Sequence, residues 1–274
     1  MSHNNHLVSI IGSAGCGKST FLAVNYFLLQ SQDNEFGIYL EPAPTSKFTT
    51  RQLIEWEEQL DDGYFPKKSP ATAEKMTTLE LNLWREFDDD PLGITDFDPG
   101  GEIWDVFNPI LDDTQLDEDI KYYIKSSKGH LILIDVNEAG KQDNFYRSIL
   151  ANIRELMPEY RRSEHKPVVI VLTKVDKKAD INNFDPLTFF EKEMPKTSNF
   201  FNRFFARDRN LEDLIYPCSI GAVSEQHDLL HINSESTKHE TMKNKKSIRI
   251  KSFNPIGFNE PLFYIFDEIE LLKE

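Results

Sequence analysis

Short apolar runs alternate with longer amphipathic stretches along the chain. Strand-like runs lie at Leu7–Ile11, Thr78–Trp84, Gly93–Phe97, His130–Val136, Val168–Leu172 and Leu214–Cys218. Helical spacing is clearest over Lys18–Ser31, Asn144–Glu159, Pro186–Phe205 and Pro261–Lys273. This alternation predicts an α/β fold, with a mostly parallel sheet between helices on both faces. No internal repeat is visible.

Two stretches exceed what a minimal alternation needs. Residues 33–73 separate the first helix from the second strand and carry a helical piece near Arg51–Leu60. Residues 225–259 are polar and include the lysine-rich "STKHETMKNKKSIRIKS". A solvated loop is the favoured reading of the latter, ahead of a docking site for an acidic partner. The chain reads as one domain over 1–274 with these two insertions.

Composition narrows the classes. The 274 residues are 39% hydrophobic and 28% charged, with a formal net charge of −15. Such acidity argues against nonspecific binding to nucleic acid or to an acidic membrane surface. Cys16 and Cys218 are too few for a disulfide framework and fit a reducing compartment. The start "MSHNNHLVSII" lacks the basic n-region of a signal peptide, and no run approaches the ~18 apolar residues of a membrane span. A cytoplasmic protein without integral membrane association is expected. The seven histidines show no metal-ligand spacing.

The first strand runs straight into "GSAGCGKST", Gly12 to Thr20, with the Gly-x-x-x-x-Gly-Lys-Ser spacing of a phosphate-binding loop. Gly12, Gly15 and Gly17 let the backbone curl around an anion without Cβ clashes. Backbone N–H groups of Ser13, Ala14, Gly15 and Cys16 then face the phosphates, and the next helix adds its positive end. Lys18 reaches the β- and γ-phosphates, and the Ser19 hydroxyl can ligate Mg²⁺, with Thr20 beside it. Within the loop, Cys16 reads as a small space-filler.

A phosphate loop does not choose the base. The strand "KPVVIVL" ends in Thr173-Lys174-Val175-Asp176. A carboxylate at Asp176 can accept from the guanine N1–H and the exocyclic amine, a donor pair that adenine lacks. Lys174 can lie along the base, and Thr173 can tie the segment to the phosphate loop. Further on, "YPCSIG" resembles the short Ser-Ala-type loop in which a backbone N–H meets the guanine 6-oxo group, with Ser219 and Ile220 as candidates.

Between these motifs stands "GITDFDPGGEIWD". In the preferred register Asp98-Pro99-Gly100-Gly101 is a D-x-x-G motif. Asp98 then supports Mg²⁺ through water, and the Gly101 N–H senses the γ-phosphate. The other register, starting at Phe97, loses the carboxylate. In this register "DPGGE" resembles the GTPase motif in which a water-orienting glutamine follows the glycine; here Glu102 holds that place. An ionised glutamate cannot donate a hydrogen bond and repels the γ-phosphate, so slow hydrolysis is expected. A threonine that completes the metal site is sought in "FPKKSPATAEKMTT", with Thr72 first and Ser69 next. Lys18, Glu102 and Thr72 are thus the candidate catalytic residues, and Ser19, Asp98 and Thr72 the candidate metal ligands.

Together "IIGSAGCGKSTFLA", "DPGGE" and "VLTKVD" resemble TRAFAC-class P-loop GTPases, of the bacterial double-GTPase-like or Ras/Rab-like branch. The resemblance implies the three-layer P-loop NTPase fold, GTP/GDP and Mg²⁺ as cofactors, and a switch whose loops reorder on hydrolysis. It also implies a protein effector or activator; self-association is a further candidate. A P-loop ATPase or kinase, and a nucleotide-sensing scaffold with little turnover, stay open as alternatives.

Some features invite overreading. Phe200, Phe201, Phe204 and Phe205 fall on one helical face, for which core packing is the simpler account. "REFDDDPLG" reads as a hairpin tip rather than a metal site. Trp56, Trp84 and Trp104 read as packing residues.

Overall fold

The structure is a computed structural model that describes residues 6–30, 37–44, 46–61, 77–85, 91–98, 115–157, 166–177, 181–206, 209–221, 223–224, 250–252 and 254–271. Seven strands form one sheet: β1 (His6–Gly12), β2 (Ile38–Pro42), β3 (Thr77–Arg85), β4 (Leu92–Asp98), β5 (Ser127–Asp135), β6 (Val168–Thr173) and β7 (Ile215–Pro217). Their spatial order is β2-β3-β4-β1-β5-β6-β7. Only β3 runs against the rest, pairing antiparallel with both β2 and β4. The other pairs, β4–β1, β1–β5, β5–β6 and β6–β7, are parallel.

The central strands are buried on both faces, which is why they read as nearly unbroken apolar runs. Along β5, Leu131 and Leu133 face one layer while Ile132 and Ile134 face the other. The first layer is closed by α1 (Lys18–Leu29), α2 (Lys47–Asp61) and the C-terminal helix, numbered α7 (Glu260–Leu271). The second is closed by α3 (Gln115–Ser126), α4 (Asp143–Leu156), α5 (Pro186–Glu193) and α6 (Pro195–Phe201). This is the three-layer α/β architecture expected from the sequence. All six expected strands are present.

The 33–73 insertion contributes more than its expected helical piece. Ahead of α2 it forms β2, which extends the sheet past β3 as an edge strand. Trp84 of β3 donates to Glu41 of β2 at 2.7 Å, and Trp56 of α2 is buried. Neither β2 nor α3 stood out in the sequence, because one is short and half-polar and the other mixes acidic and aromatic residues.

The helix expected over Pro186–Phe205 is broken. α5 stops at Glu193, Met194 leaves helical backbone at φ −131° and ψ 55°, and Pro195, which lacks an N–H, starts α6. Asp143 at the start of α4 caps α6 from a distance, accepting from the Lys196 and Thr197 N–H groups at 3.1 and 2.8 Å. A π-turn over Asn202–Ala206 follows. The phenylalanine rings stay in contact with one another, Phe200 with Phe204 at 4.6 Å and Phe201 with Phe205 at 5.8 Å between centroids. Phe201 is in the core, Phe200 and Phe205 pack against it, and Phe204 is covered by the Arg154 guanidinium 3.6 Å from its ring centroid.

The 225–259 insertion is also more than a loop at its ends. A short antiparallel pair joins β8 (Val223–Ser224) to β9 (Ile250–Ser252), and Ser219 bridges Ile256 just before α7. No helix among the described residues is long and apolar enough to cross a membrane.

Candidate functional site

The carboxyl ends of β1, β5 and β6 meet at one edge of the sheet, where the loops after them converge. This is where ligands bind in open α/β sheets. Gly12 ends β1 and lies tight against β5: a Cβ there would fall 2.6 Å from Leu133 O and 2.5 Å from Cys16 Sγ. Gly15 and Gly17 have φ of 75° and 105°, the left-handed region that other residues avoid. The chain turns through them into α1, whose first turn carries Lys18, Ser19 and Thr20. Lys18 is buried, and its Nζ donates to Gly12 O at 3.0 Å and Ser13 O at 3.3 Å, so the ammonium sits folded over the loop.

The loop suits an anion. The N–H groups of Ala14, Gly15 and Gly17 have no partner among the described residues, at the N-terminus of a helix. Ser13 is turned inward instead. Its N–H donates to the Tyr146 hydroxyl at 3.2 Å and its own hydroxyl donates to Gln142 at 3.1 Å. Tyr146, wholly buried on α4, donates in turn to Leu133 O at 2.7 Å. Burial, helped by the neighbouring Cys16 sulfur, pushes the phenol far above its ordinary pKa, so the hydroxyl stays a donor. Cys16 is buried, as its reading as a space-filler requires.

The T-K-V-D segment is bonded to this loop. Thr173 Oγ1 donates to Cys16 O at 2.6 Å. Lys174 adopts φ of 60°, and its Nζ donates to Gly15 O at 2.6 Å and to Asp135 Oδ2 at 2.5 Å. Burial raises the Asp135 carboxyl, but the Lys174 charge and hydrogen bonds from Lys174 and Asn137 outweigh it and hold the pKa below its ordinary value. Asp176 follows, half-buried, in the turn Val175–Lys177. The loop after β7 is joined on: Cys218 N donates to Leu172 O at 2.7 Å, and Val175 N to Cys218 O at 3.2 Å. Ser219 is buried and Ile220 half-buried in that loop.

The third group of candidates is placed only in part. β4 ends at Asp98; Asp96 pairs with Ile10, so Asp98 is level with Gly12 at the same edge, though its side chain lies outside the described residues. Thr72, Ser69, Gly101, Glu102 and Trp104 also lie outside them. Among the described residues no cluster of three or more His, Cys, Asp or Glu forms a metal cage.

A family model, Double-GTPase 2, matches residues 6–205 and so spans most of the chain, with the phosphate loop and the T-K-V-D segment inside it. The chain belongs to the Double-GTPase 2 family. It is thus a TRAFAC-class P-loop GTPase relative and a GTP-binding protein. Among solved structures, a probable GTP-binding protein engB matches with a TM-score of 0.34 at 13% identity, over 77% of this chain and 86% of that one. No curated protein matches.

Some residues of this site were invisible in the sequence. Tyr146 and Gln142 belong to a helix and a turn with no motif of their own. Asp135 had one signal, a carboxylate at the carboxyl end of a buried parallel strand. The contact of residues 254–257 with the base loop had none.

Proposed function

We propose that this protein binds Mg²⁺–GTP, hydrolyses it slowly to GDP, and acts as a nucleotide-dependent switch. The observation that carries the reading is the Lys174 ammonium, 2.6 Å from Gly15 O, which docks the T-K-V-D segment on the phosphate loop. A base read by Asp176 and phosphates held by Gly12–Thr20 would then belong to one ligand.

In this reading Lys18 swings its charge onto the β- and γ-phosphates, and the open amides of Ala14, Gly15 and Gly17 cradle them. Thr173 and Lys174 brace the base side, Asp176 accepts from the guanine N1–H and amine, and the Ser219–Ile220 loop meets the 6-oxo group. Ser19 at the start of α1 and Asp98 at the end of β4, with Thr72, would hold Mg²⁺; their oxygen donors suit that ion. Bound there, it would neutralise charge developing on the phosphate oxygens. Gly101 would sense the γ-phosphate.

Slow turnover follows from two residues. Glu102 stands where a glutamine orients water, and the exposed Ala14 adds a methyl beside the γ-phosphate, where a partner's arginine would enter. A protein activator, or a second copy of the chain, is then the source of any acceleration. Cys16 and Cys218 are both buried, and a reducing, cytoplasmic setting belongs to this reading. Single-turnover GTP hydrolysis over a protein concentration series tests this. Turnover of about one per minute or less in dilute protein is expected, against the ~10³–10⁵-fold that an arginine finger normally adds. Fast turnover that stays constant per molecule down to nanomolar protein would contradict it.

A further inference from the structure

The chain returning from the 225–259 insertion lies along the loop that follows β7. Ser219 N–H donates to Ile256 O at 3.0 Å, and Ile256 N–H donates back to Ser219 O at 2.8 Å. One step on, Asn254 N–H donates to Ile220 O at 3.1 Å. Gly257 permits this approach: its φ is 76°, and a Cβ there would fall 1.9 Å from Pro217 O. The Cys218 thiol also donates to Gly257 O, at 2.5 Å. Beyond the glycine, Phe258 is buried and stacks on Phe21 of α1 at 5.7 Å, which anchors the strap to the helix behind the phosphate loop.

The pairing decides where one amide points. Three of the four N–H groups of this loop are taken: Cys218 by Leu172 O, Ser219 by Ile256 O, and Gly221 by Ser219 Oγ at 3.1 Å. The Ile220 N–H has no partner among the described residues. It shares a planar trans peptide with Ser219 O, so the two point in opposite directions. With Ser219 O gripped by Ile256 and Ile220 O by Asn254, both peptides flanking Ile220 are fixed from one side. The open N–H is driven to the other.

We propose that the Asn254–Gly257 strap is a positioning element for base recognition, holding the Ile220 N–H toward the 6-oxo group of a guanine nucleotide and so setting part of the purine selectivity. This rests on the guanine-nucleotide reading above. Asp176 reads a different edge of the base, the N1–H and the amine. The two contributions are therefore separable by analogues. 6-Thioguanosine diphosphate keeps the edge read by Asp176 but offers a weaker acceptor at position 6. Inosine diphosphate keeps the 6-oxo group and lacks the amine.

The test measures Kd for GDP, ADP, 6-thioguanosine diphosphate and inosine diphosphate with the full chain and with Gly257→Ala and Ile256→Pro. A thermal melt accompanies each variant. The first variant forces the strap off Pro217; the second deletes the N–H that grips Ser219 O. The full chain is expected to prefer GDP over the 6-thio analogue by about 3- to 10-fold, the worth of one hydrogen bond. In both variants that gap should close to within about 2-fold, while the GDP-to-inosine gap stays. Folded variants that keep the 6-oxo preference overturn the proposal. So do variants that lose GDP, the 6-thio analogue and inosine diphosphate equally, which would mark a merely structural strap. If Gly257→Ala does not fold, Ile256→Pro decides alone. A full chain that binds ADP as well as GDP would instead refute the guanine-nucleotide reading itself.

Discussion

The phosphate end of the proposed site comes from nine consecutive residues, Gly12 to Thr20. The base end draws Asp135, Thr173–Asp176, Ser219–Ile220 and the strap at 254–257 from four separate stretches, joined by hydrogen bonds. The difference is one of how strain and charge are handled. At the phosphate end, glycines at positive φ and one buried lysine do the work locally. At the base end, the non-glycine Lys174 sits at φ of 60°, and the ion pair to Asp135 and the bond to Gly15 O hold it there. A local motif carries its chemistry in its own spacing. An assembled one depends on the sheet that brings its parts to one edge.

The comparison can be broken first at the phosphate end. Lys18→Ala removes the buried ammonium folded over Gly12 and Ser13 and should weaken GDP and GTP binding by about 100-fold or more, while the melting curve stays cooperative. Titration with a fluorescent guanine nucleotide reads it, and unchanged affinity in a folded variant would discard the phosphate-loop assignment. At the base end, Asp176→Asn exchanges an acceptor for a donor-bearing amide. GDP affinity should drop about 10- to 100-fold, and xanthosine diphosphate should gain, since its extra carbonyl suits the amide. Wild-type selectivity would show that Asp176 does not read the base.

Tyr146→Phe probes what supports the local motif from below. It leaves the Leu133 carbonyl and the Ser13 N–H without their buried partner, at a cost of about 1–3 kcal/mol in stability. Nucleotide affinity should fall only a few-fold, less than for either first variant. Chemical denaturation measures the first effect, and an unchanged midpoint would remove Tyr146 from the account.

The effect farthest from the nucleotide lies beneath both ends. His130 on β5 is wholly buried, bonds Ser9 at 2.5 Å, and is pushed down to about 3 by burial, with the Lys166 charge adding. Below the ordinary histidine value of ~6.5 the unfolded chain takes up a proton that the folded one refuses. Stability from this group is therefore full above that pH and is lost as pH falls from about 6.5 toward about 3, at up to roughly 1.4 kcal/mol per pH unit. His130→Asn cannot titrate, so its stability profile over pH 6.5 to 4 should be flatter. Parallel profiles would contradict this.

The same contrast explains what was legible in the sequence. The buried parallel strands announced themselves as apolar runs, and the phosphate loop as a spacing. β2 did not, because Ile38–Pro42 alternates buried and half-buried positions over a short edge strand. The break at Pro195 is masked because the phenylalanines on either side keep helical spacing across it. T-K-V-D was readable as a motif, but the Asp135 carboxylate that pairs with Lys174 sits 39 residues earlier, and residues 254–257 reach the base loop only after a long polar insertion. Such contacts are set by tertiary placement and leave no local trace.

The central claim, one nucleotide held by phosphate loop and guanine-selective base end together, is tested most directly by calorimetric titration of the purified chain with GDP and with ADP in Mg²⁺. Micromolar or tighter GDP binding, with ADP weaker by at least about 100-fold, is the expected result. Equal affinity for the two, or tighter binding of ADP, would contradict it.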